Sequence, residues 1–506
     1  MVSLNGSALT LEDVAQVARH GGEVELDPHA VKRMKAAREV IDRLAAGEAP
    51  VYAVNTGVGL LADTRVAPEE LEQLQRNVVR SHACGVGEPL PEDVVRAIML
   101  IRANVLAKGI SGIRPVVARR ICGLLNKGVT PLVPSRGSVG ASGDLAPLAH
   151  IALVLIGEGE AVYQGQRMSG GAALSAALIE PLRLHSKEGI SLVNGTQAML
   201  ALGTLALLDS EDLAEAADVA CALSLDALRG TPKAFDPRIH EVRPHPGQLA
   251  SAKLLRRLLE GSEIRASHQA CRRVQDAYSL RCAPQVHGAV RDTLTETRRV
   301  FGIELNSATD NPLVFGEETL SGGNFHGQHL AFAMDFMAIA LTALAGISER
   351  RIDRLVNPAL NEGLPPFLAH HPGLESGYMM LQVTAAALVA ECRVLATPAS
   401  PGSITTSGNK EDFVSMGMTS ALKLRQVVEL TRQVLAIELM TATQALECLR
   451  PLKTSPLLEE IRTAFVAVCP PRKDDQPFSA GIAAAADWLK RWRAVRPTAV
   501  AEIDAQ

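Results

Sequence analysis

Aromatic residues are scarce in this sequence: Phe, Tyr and Trp together make up 3% of 506 residues, with only 4 tyrosines and 2 tryptophans. Sandwiches and barrels draw their strands from aromatic and β-branched residues. That scarcity, beside an evident richness in Ala and Leu, favours helices. A surplus of charge is also missing. The 51 Lys and Arg nearly balance the 55 Asp and Glu, for a formal net charge of -4. No basic excess is left to hold nucleic acid or an anionic membrane. The 8 cysteines are scattered at 84, 122, 221, 271, 282, 392, 448 and 469, with no CxxC pair. Neither a zinc site nor a disulfide framework is indicated, and reduced thiols in a cytoplasmic protein are expected. The N-terminal residues lack a basic segment followed by an apolar run, so no signal peptide is read there. One long uncharged stretch runs from Gly189 to Leu208, but Asn194, Gly195, Thr196 and Gln197 stand in its first half. Those residues are costly in lipid, so the stretch reads as a buried helix with a polar entry.

What is present is a globular composition, 47% hydrophobic and 21% charged, in a chain long enough for a large core. Two regions are expected. Residues 1–190 mix short segments with frequent Gly and Pro, and helices are predicted there at 11–20, 68–79 and 93–108, the last ended by Gly109. Residues 191–506 carry long helical stretches. Positions 418–450 hold neither Gly nor Pro, and 328–345 and 384–396 are similarly uninterrupted. Helices of that length pack side by side, which predicts a mainly α protein built on a long-helix bundle. Some faces are apolar nearly all round, as in FMAIALTALAGI. Such a helix must lie centrally in a bundle or between subunits.

The most unusual local feature is GSVGASGDLAPLAH, residues 137–150. A phosphate-cradling loop needs Lys and then Ser or Thr after the last Gly, whereas Asp144 and Leu145 follow here. A nucleophile elbow needs Gly two residues either side of the Ser. A dinucleotide fingerprint needs a βαβ unit. All three fail. An ordinary tight turn remains one reading. The other is chemical: in a tight enough turn, the Gly143 amide nitrogen can attack the Ala141 carbonyl carbon, an approach that only a residue without a side chain allows. Loss of one water from the ring and a second from Ser142 leaves an exocyclic methylene, an electrophile made from the chain itself.

This segment resembles the prosthetic-group loop of the aromatic amino acid ammonia-lyases, which make 4-methylidene-imidazole-5-one from Ala-Ser-Gly. Other motifs match in the family's order. They are Tyr52-Ala-Val-Asn-Thr-Gly-Val-Gly, the segment from Leu74 through His82 to Gly87, Asn194-Gly-Thr-Gln, Gln275-Asp-Ala-Tyr-Ser-Leu-Arg281, Asn306-Ser-Ala-Thr-Asp-Asn-Pro and Gly322-Gly-Asn-Phe-His-Gly-Gln. The resemblance spans about residues 10 to 490. It implies the helical-bundle fold of these and the fumarase-like lyases, although the latter's Ser-Ser-x-Met-Pro-x-Lys loop is absent. It also implies a homotetramer whose active sites draw residues from three chains, an amino acid substrate, and no added cofactor.

The resemblance assigns roles residue by residue. Ala141, Ser142 and Gly143 form the group, to which the substrate amine adds. Tyr52 is the base that takes the β-proton; a phenol in water ionises only near pH ~10, so the role asks for surroundings that favour phenolate. Asn194 stands beside the group, although an N-cap is an alternative. Tyr278 is catalytic, while Gln275 and Arg281 bind substrate, Arg281 by a forked contact to its carboxylate. Phe325 is an aromatic wall. Asp144 either supports ring formation or caps the next helix. His82 and Glu411 resemble the histidine-specific members, and so does Met379, which implies conversion of L-histidine to trans-urocanate and ammonia. An imidazole offers one donor and one acceptor, and a pocket that reads it must answer both. Departures from the family pattern are Lys410 and Phe413, where Gln and His are common, and Ala53 and Val58, where Gly and Phe are usual. Lys410 either pairs with Glu411 or points away from it. A related lyase or aminomutase acting on tyrosine, phenylalanine or a histidine analogue is the nearest alternative, and a non-catalytic helical scaffold is the alternative of another class.

Overall fold

The computed structural model describes residues 1–268 and 274–505, and they are mainly helical. Packing groups the chain into two compact units, each assembled from three segments. The first comprises Met1–Leu205, Arg298–Asp335 and Pro398–Leu422; the second comprises Ala206–Thr297, Phe336–Thr397 and Lys423–Gln506. The expected division at residue 190 follows the order of the chain, whereas these units follow packing.

In the first unit, local sequence sets the elements. Helix Leu11–His20 opens on Thr10 and Asp13, which satisfy each other's backbone N–H groups in a capping box, and closes on Gly21 in the left-handed region. Helix Glu92–Ala107 is buried along almost its whole length and is followed by Gly109 at φ 83. A three-stranded antiparallel sheet joins Val129–Pro131, Glu160–Tyr163 and Gln166–Ser169, in that spatial order. Three helices matter most for the site: Leu71–His82, Leu145–Leu155 and Glu188–Val193 pack on one another. The first turns Leu71, Gln75, Val78 and Val79 inward at helical spacing. Its Gln75 Oε1 accepts from Gly189 N at 2.9 Å, tying it to the third.

The uncharged stretch 189–208 departs from its expected form. It is two helices, Glu188–Val193 and Gln197–Ala227, separated at Asn194-Gly195-Thr196. Gly195 has φ 146, outside any helical conformation, so the polar residues form a turn instead of a helix entry.

The second unit contains helices Met379–Leu395 and most of Gln197–Ala227, Ala283–Glu304, Gln328–Val356 and Gly417–Glu447. Two of its buried carboxylates are paired with cations. Glu438 accepts from Arg351 Nε at 2.5 Å, Ser224 Oγ at 2.8 Å and Ser348 Oγ at 2.6 Å, so the ion pair is matched by further hydrogen bonds. Asp218 likewise receives Ser251 Oγ at 2.6 Å and Arg291 Nη2 at 2.8 Å, with His287 Nδ1 at 2.7 Å. Helix Gln328–Val356 is long and apolar enough to cross a membrane, yet much of it is buried within the protein. On that helix Phe332, Phe336 and Ile339 are exposed. The seven cysteines of the described residues are all free thiols, and Cys271 lies outside those residues.

Candidate active site

The ends of the three packed helices converge on a cavity of 380 Å³ in the first unit. Tyr52, His82, Ser142, Asn194, Phe325 and Glu411 line it. His82 stands at the last position of its helix, Ser142 lies three residues before Leu145–Leu155, and Asn194 is the residue that caps the C-terminus of Glu188–Val193. The N-cap alternative for Asn194 is therefore replaced by a C-cap.

The Ala141-Ser142-Gly143 loop is bonded directly to the turn between the two halves of the uncharged stretch. Asn194 Nδ2 donates to Ser142 O at 2.9 Å, Gly195 N donates to the same oxygen at 3.3 Å, and Asp144 N donates to Gly195 O at 2.7 Å. Gly143 has φ 73, and a Cβ built on it would fall 2.1 Å from Gly195 O. No residue with a side chain fits there. Asn194 Oδ1 is buried and has no hydrogen-bond partner among the described residues, an unanswered acceptor on a residue that lines the cavity. A strand-like approach of two backbones, a glycine where nothing larger fits and an orphaned acceptor are surroundings that fit a ring made from this loop.

Asp144 is at the N-cap position of Leu145–Leu155 but makes no cap bond to that helix. Its carboxylate instead accepts from Met199 N at 2.8 Å, in the first turn of Gln197–Ala227, and from Ser138 Oγ at 2.9 Å. Asp144 thus serves the helix after the turn, holding loop and turn together from a second side. Complete burial pushes its carboxyl up to about 6, against the opposing pull of those donors.

Across the cavity, Ser142 Oγ donates to Glu411 Oε1 at 2.7 Å, and Thr406 Oγ1 donates to Glu411 Oε2 at 2.7 Å. An antiparallel bridge between Thr406 and Glu411 closes the short loop that presents the carboxylate. Lys410 is exposed and forms no ion pair with Glu411, and the segment from 406 to 411 is a tight loop instead of a long helix. Phe413 is 60% exposed and stacks on His326, with ring centroids 6.0 Å apart. Neither Lys410 nor Phe413 lines the cavity, whereas Val58, a departure in the tyrosine loop, does.

His82 Nδ1 is 2.7 Å from Val78 O, so the ring nitrogen bearing hydrogen in the neutral form is assigned as Nδ1 and Nε2 is the free one. The Tyr52 hydroxyl oxygen accepts from Gly59 N at 3.4 Å. Its loop is ordered by Asn55, whose Oδ1 accepts from Val51 N at 2.7 Å, and by Thr56, whose hydroxyl accepts from Ala53 N at 3.1 Å. Ala53 adopts φ 56. Glycine occupies that region more readily, so the Ala here carries strain of about 1 kcal/mol.

Gln275, Tyr278 and Arg281 are not among the lining residues and belong to the second unit. Gln275 is exposed and precedes the short helix Tyr278–Arg281. Tyr278 is 70% exposed, and the Arg281 guanidinium lies 4.6 Å from its ring centroid. Met379, at the start of Met379–Leu395, is half-buried and also outside the lining. Conversely, Asn311, Leu145, Ile190, Ser407 and Gly408 line the cavity without having been singled out as site residues from the sequence. Asn311 lies inside a recognised motif, and its Oδ1 accepts from Gly322 N at 2.8 Å. That bond joins the motifs carrying Asn311 and Phe325.

The sequence matches the profile of the aromatic amino acid lyase family over residues 9–467. It is 60% identical over 496 residues to the histidine ammonia-lyase of Koribacter versatilis (strain Ellin345), covering 95% of this chain and 96% of that protein. Among solved structures, the histidine ammonia-lyase from Trypanosoma cruzi superposes with a TM-score of 0.90 at 42% identity, over 99% of this chain and 96% of that one. The tyrosine aminomutase from Streptomyces globisporus superposes with a TM-score of 0.92 at 40% identity, over 100% and 98%. A glycine loop stitched to an Asn-Gly turn and a family match across most of its length lead to one conclusion: the chain belongs to the aromatic amino acid lyase family.

Proposed function

We propose that this chain eliminates ammonia from L-histidine to give trans-urocanate, with Ala141, Ser142 and Gly143 converted to 4-methylidene-imidazole-5-one. The observation that carries the reading is Ser142 hydrogen-bonded to Glu411 at 2.7 Å in a cavity that also holds His82. The surroundings of the loop fit the group, which supplies an electrophilic methylene carbon at the Ser142 position. Every other part belongs to side chains and backbone amides. Asn194 Nδ2 and Gly195 N hold and polarise Ser142 O. Asn194 Oδ1 is an acceptor for the substrate ammonium. Tyr52 faces the cavity with its oxygen already accepting from Gly59 N, so its own proton is free to move, as a base for the β-proton requires.

Selectivity follows from the two polar groups at the far wall. A carboxylate at Glu411 accepts an imidazole N–H. His82 Nε2 accepts when His82 is neutral and donates when it is charged, so the pair answers both ring nitrogens. A phenyl ring would leave the Glu411 charge unmatched. The cavity of 380 Å³ is at the small end of ligand sites, the size for a single amino acid.

Gln275, Tyr278 and Arg281 enter this reading from neighbouring chains of a cytoplasmic homotetramer. The support is the exposure of Gln275 and Tyr278 on their own chain, with Arg281 half-buried beside the Tyr278 ring, together with exposed Phe332, Phe336 and Ile339. Arg281 then takes the substrate carboxylate.

An ultraviolet time course of the purified protein with L-histidine, without added cofactor, tests the proposal, and growth of urocanate absorbance is the expected result. No growth, with a two-water mass deficit in the chain, transfers the activity to another amino acid. No growth and no deficit refutes the proposal.

A further inference from the structure

Arg102, in helix Glu92–Ala107, does not line the cavity and is 2% exposed. Its guanidinium holds the Asn194-Gly195-Thr196 turn at both ends. Nη2 donates to Ser191 O, in the helix before the turn, and Nη1 donates at 2.9 Å to Gln197 Oε1, the first residue of the helix after it. Gln197 Nε2 passes the bond on to Thr309 Oγ1 at 2.7 Å. Lys187 supports the same helix end, with Nζ donating to Ser191 Oγ at 2.8 Å and lying 3.5 Å from Asp310 Oδ2. A planar fork of fixed geometry suits two acceptors flanking a turn, whereas an ammonium reaches only one with good alignment.

Gly195 is enclosed on two sides as a result. A Cβ on Gly195 would lie 2.7 Å from Arg102 Nη1 and 2.5 Å from Gln197 Oε1, and a Cβ on Gly143 would lie 2.1 Å from Gly195 O. The backbone of Gly195 therefore sits between the Arg102–Gln197 pair and Gly143 with no room for a methyl group on either side.

We propose that Arg102 is a positioning residue for conversion of the Ala141-Ser142-Gly143 loop: by pinning Ser191 and Gln197, it makes Gly195 a rigid wall that holds Gly143 in its tight turn. This inference rests on the reading above that the loop is converted. The conversion forms one bond, from Gly143 N to the Ala141 carbonyl carbon. The Ala141 oxygen leaves as water with the hydrogens of the Gly143 and Ser142 nitrogens. The Ser142 hydroxyl leaves as a second water with the hydrogen of its Cα, and no oxidant is consumed. Arg102 exchanges no proton in this balance and acts by holding the reacting backbone close.

Intact-mass measurement on the purified full chain tests the assignment, with Arg102→Lys, Gln197→Met and a core control, Met34→Ala, at a residue 1% exposed in helix Pro28–Ala46. The parent and Met34→Ala are expected to carry the two-water deficit in full. Arg102→Lys is expected to carry it in fewer than about half of its chains, and Gln197→Met to lose a smaller share. Turnover per deficit-bearing chain stays within about two-fold of the parent, because Arg102 touches no substrate. Should Arg102→Lys not fold, Gln197→Met decides, since it leaves the bond from Arg102 to Ser191 in place. A full deficit in both variants overturns the proposal, and so does an equal loss in Met34→Ala. A parent without the deficit is a separate result that refutes the conversion itself.

Discussion

Replacing Gly143 with Ala tests the packing of loop against turn most directly. Two penalties arise. The backbone at φ 73 is strained for any L-residue with a side chain, by ~1–2 kcal/mol. The added methyl would also stand 2.1 Å from Gly195 O and 2.2 Å from Gly195 C, against an ordinary contact of ~3.5 Å. Restoring that contact moves loop and turn apart by more than an ångström. The Asp144 N to Gly195 O bond, now 2.7 Å, and the Gly195 N to Ser142 O bond, now 3.3 Å, do not survive such a shift. Each leaves buried backbone groups unpaired, at ~1–3 kcal/mol. Together the substitution costs about 5 kcal/mol, or the loop is expelled from its turn. Gly128→Ala is the matched control: its φ is 70 with nothing within 4 Å of the added Cβ, so strain alone, ~1–2 kcal/mol, applies. Urea unfolding at fixed chain concentration, with intact mass on the same samples, separates the two. Gly143→Ala should unfold at clearly lower urea than Gly128→Ala and lack the two-water deficit, whereas Gly128→Ala keeps it. Equal midpoints with a full deficit in both would refute the account of the loop.

Ser142→Ala removes the hydroxyl that leaves as the second water and should reduce turnover to below about a thousandth of the parent with folding intact; circular dichroism and the urocanate assay check it, and greater residual activity removes Ser142 from the mechanism. Glu411→Gln keeps an acceptor for Thr406 Oγ1 but loses the charge that reads an imidazole, so kcat/KM for histidine should fall by ~10–100-fold with little change in unfolding; an unchanged rate takes Glu411 out of the site. Asp144→Asn addresses pH. The Asp144 carboxyl is raised from 3.8 to about 6 by burial, so its favourable contribution is fully present below pH 3.8 and is lost as pH rises through about 6. The stability of Asp144→Asn relative to the parent should therefore climb by ~3 kcal/mol across that window, and parallel curves of unfolding free energy against pH would contradict the assignment.

Much of the helical architecture was legible because it rests on local rules. The 11–20 helix carries its capping box in Thr10 and Asp13, and the long Gly- and Pro-free run beginning at 418 became Gly417–Glu447. Motifs indicated the candidate site for a similar reason: Ala141-Ser142-Gly143 is contiguous, and the proposed conversion depends on residue types side by side. The break at Gly195 was not legible, because an uncharged run fits one buried helix or two, and only the bonds to Ser142 and Asp144 select the turn.

Residue types and their order determined that this chain is helical, that it carries a contiguous Ala-Ser-Gly segment, and which family it resembles. Tertiary structure alone brought Glu411 to Ser142 across 269 positions, turned the Asp144 carboxylate to Met199 instead of its own helix, and set Arg102 behind Gly195. Those contacts join residues far apart in the chain. Hydrogen-bond partners at such separations are chosen by which helix ends meet, and the packing of buried faces decides that meeting.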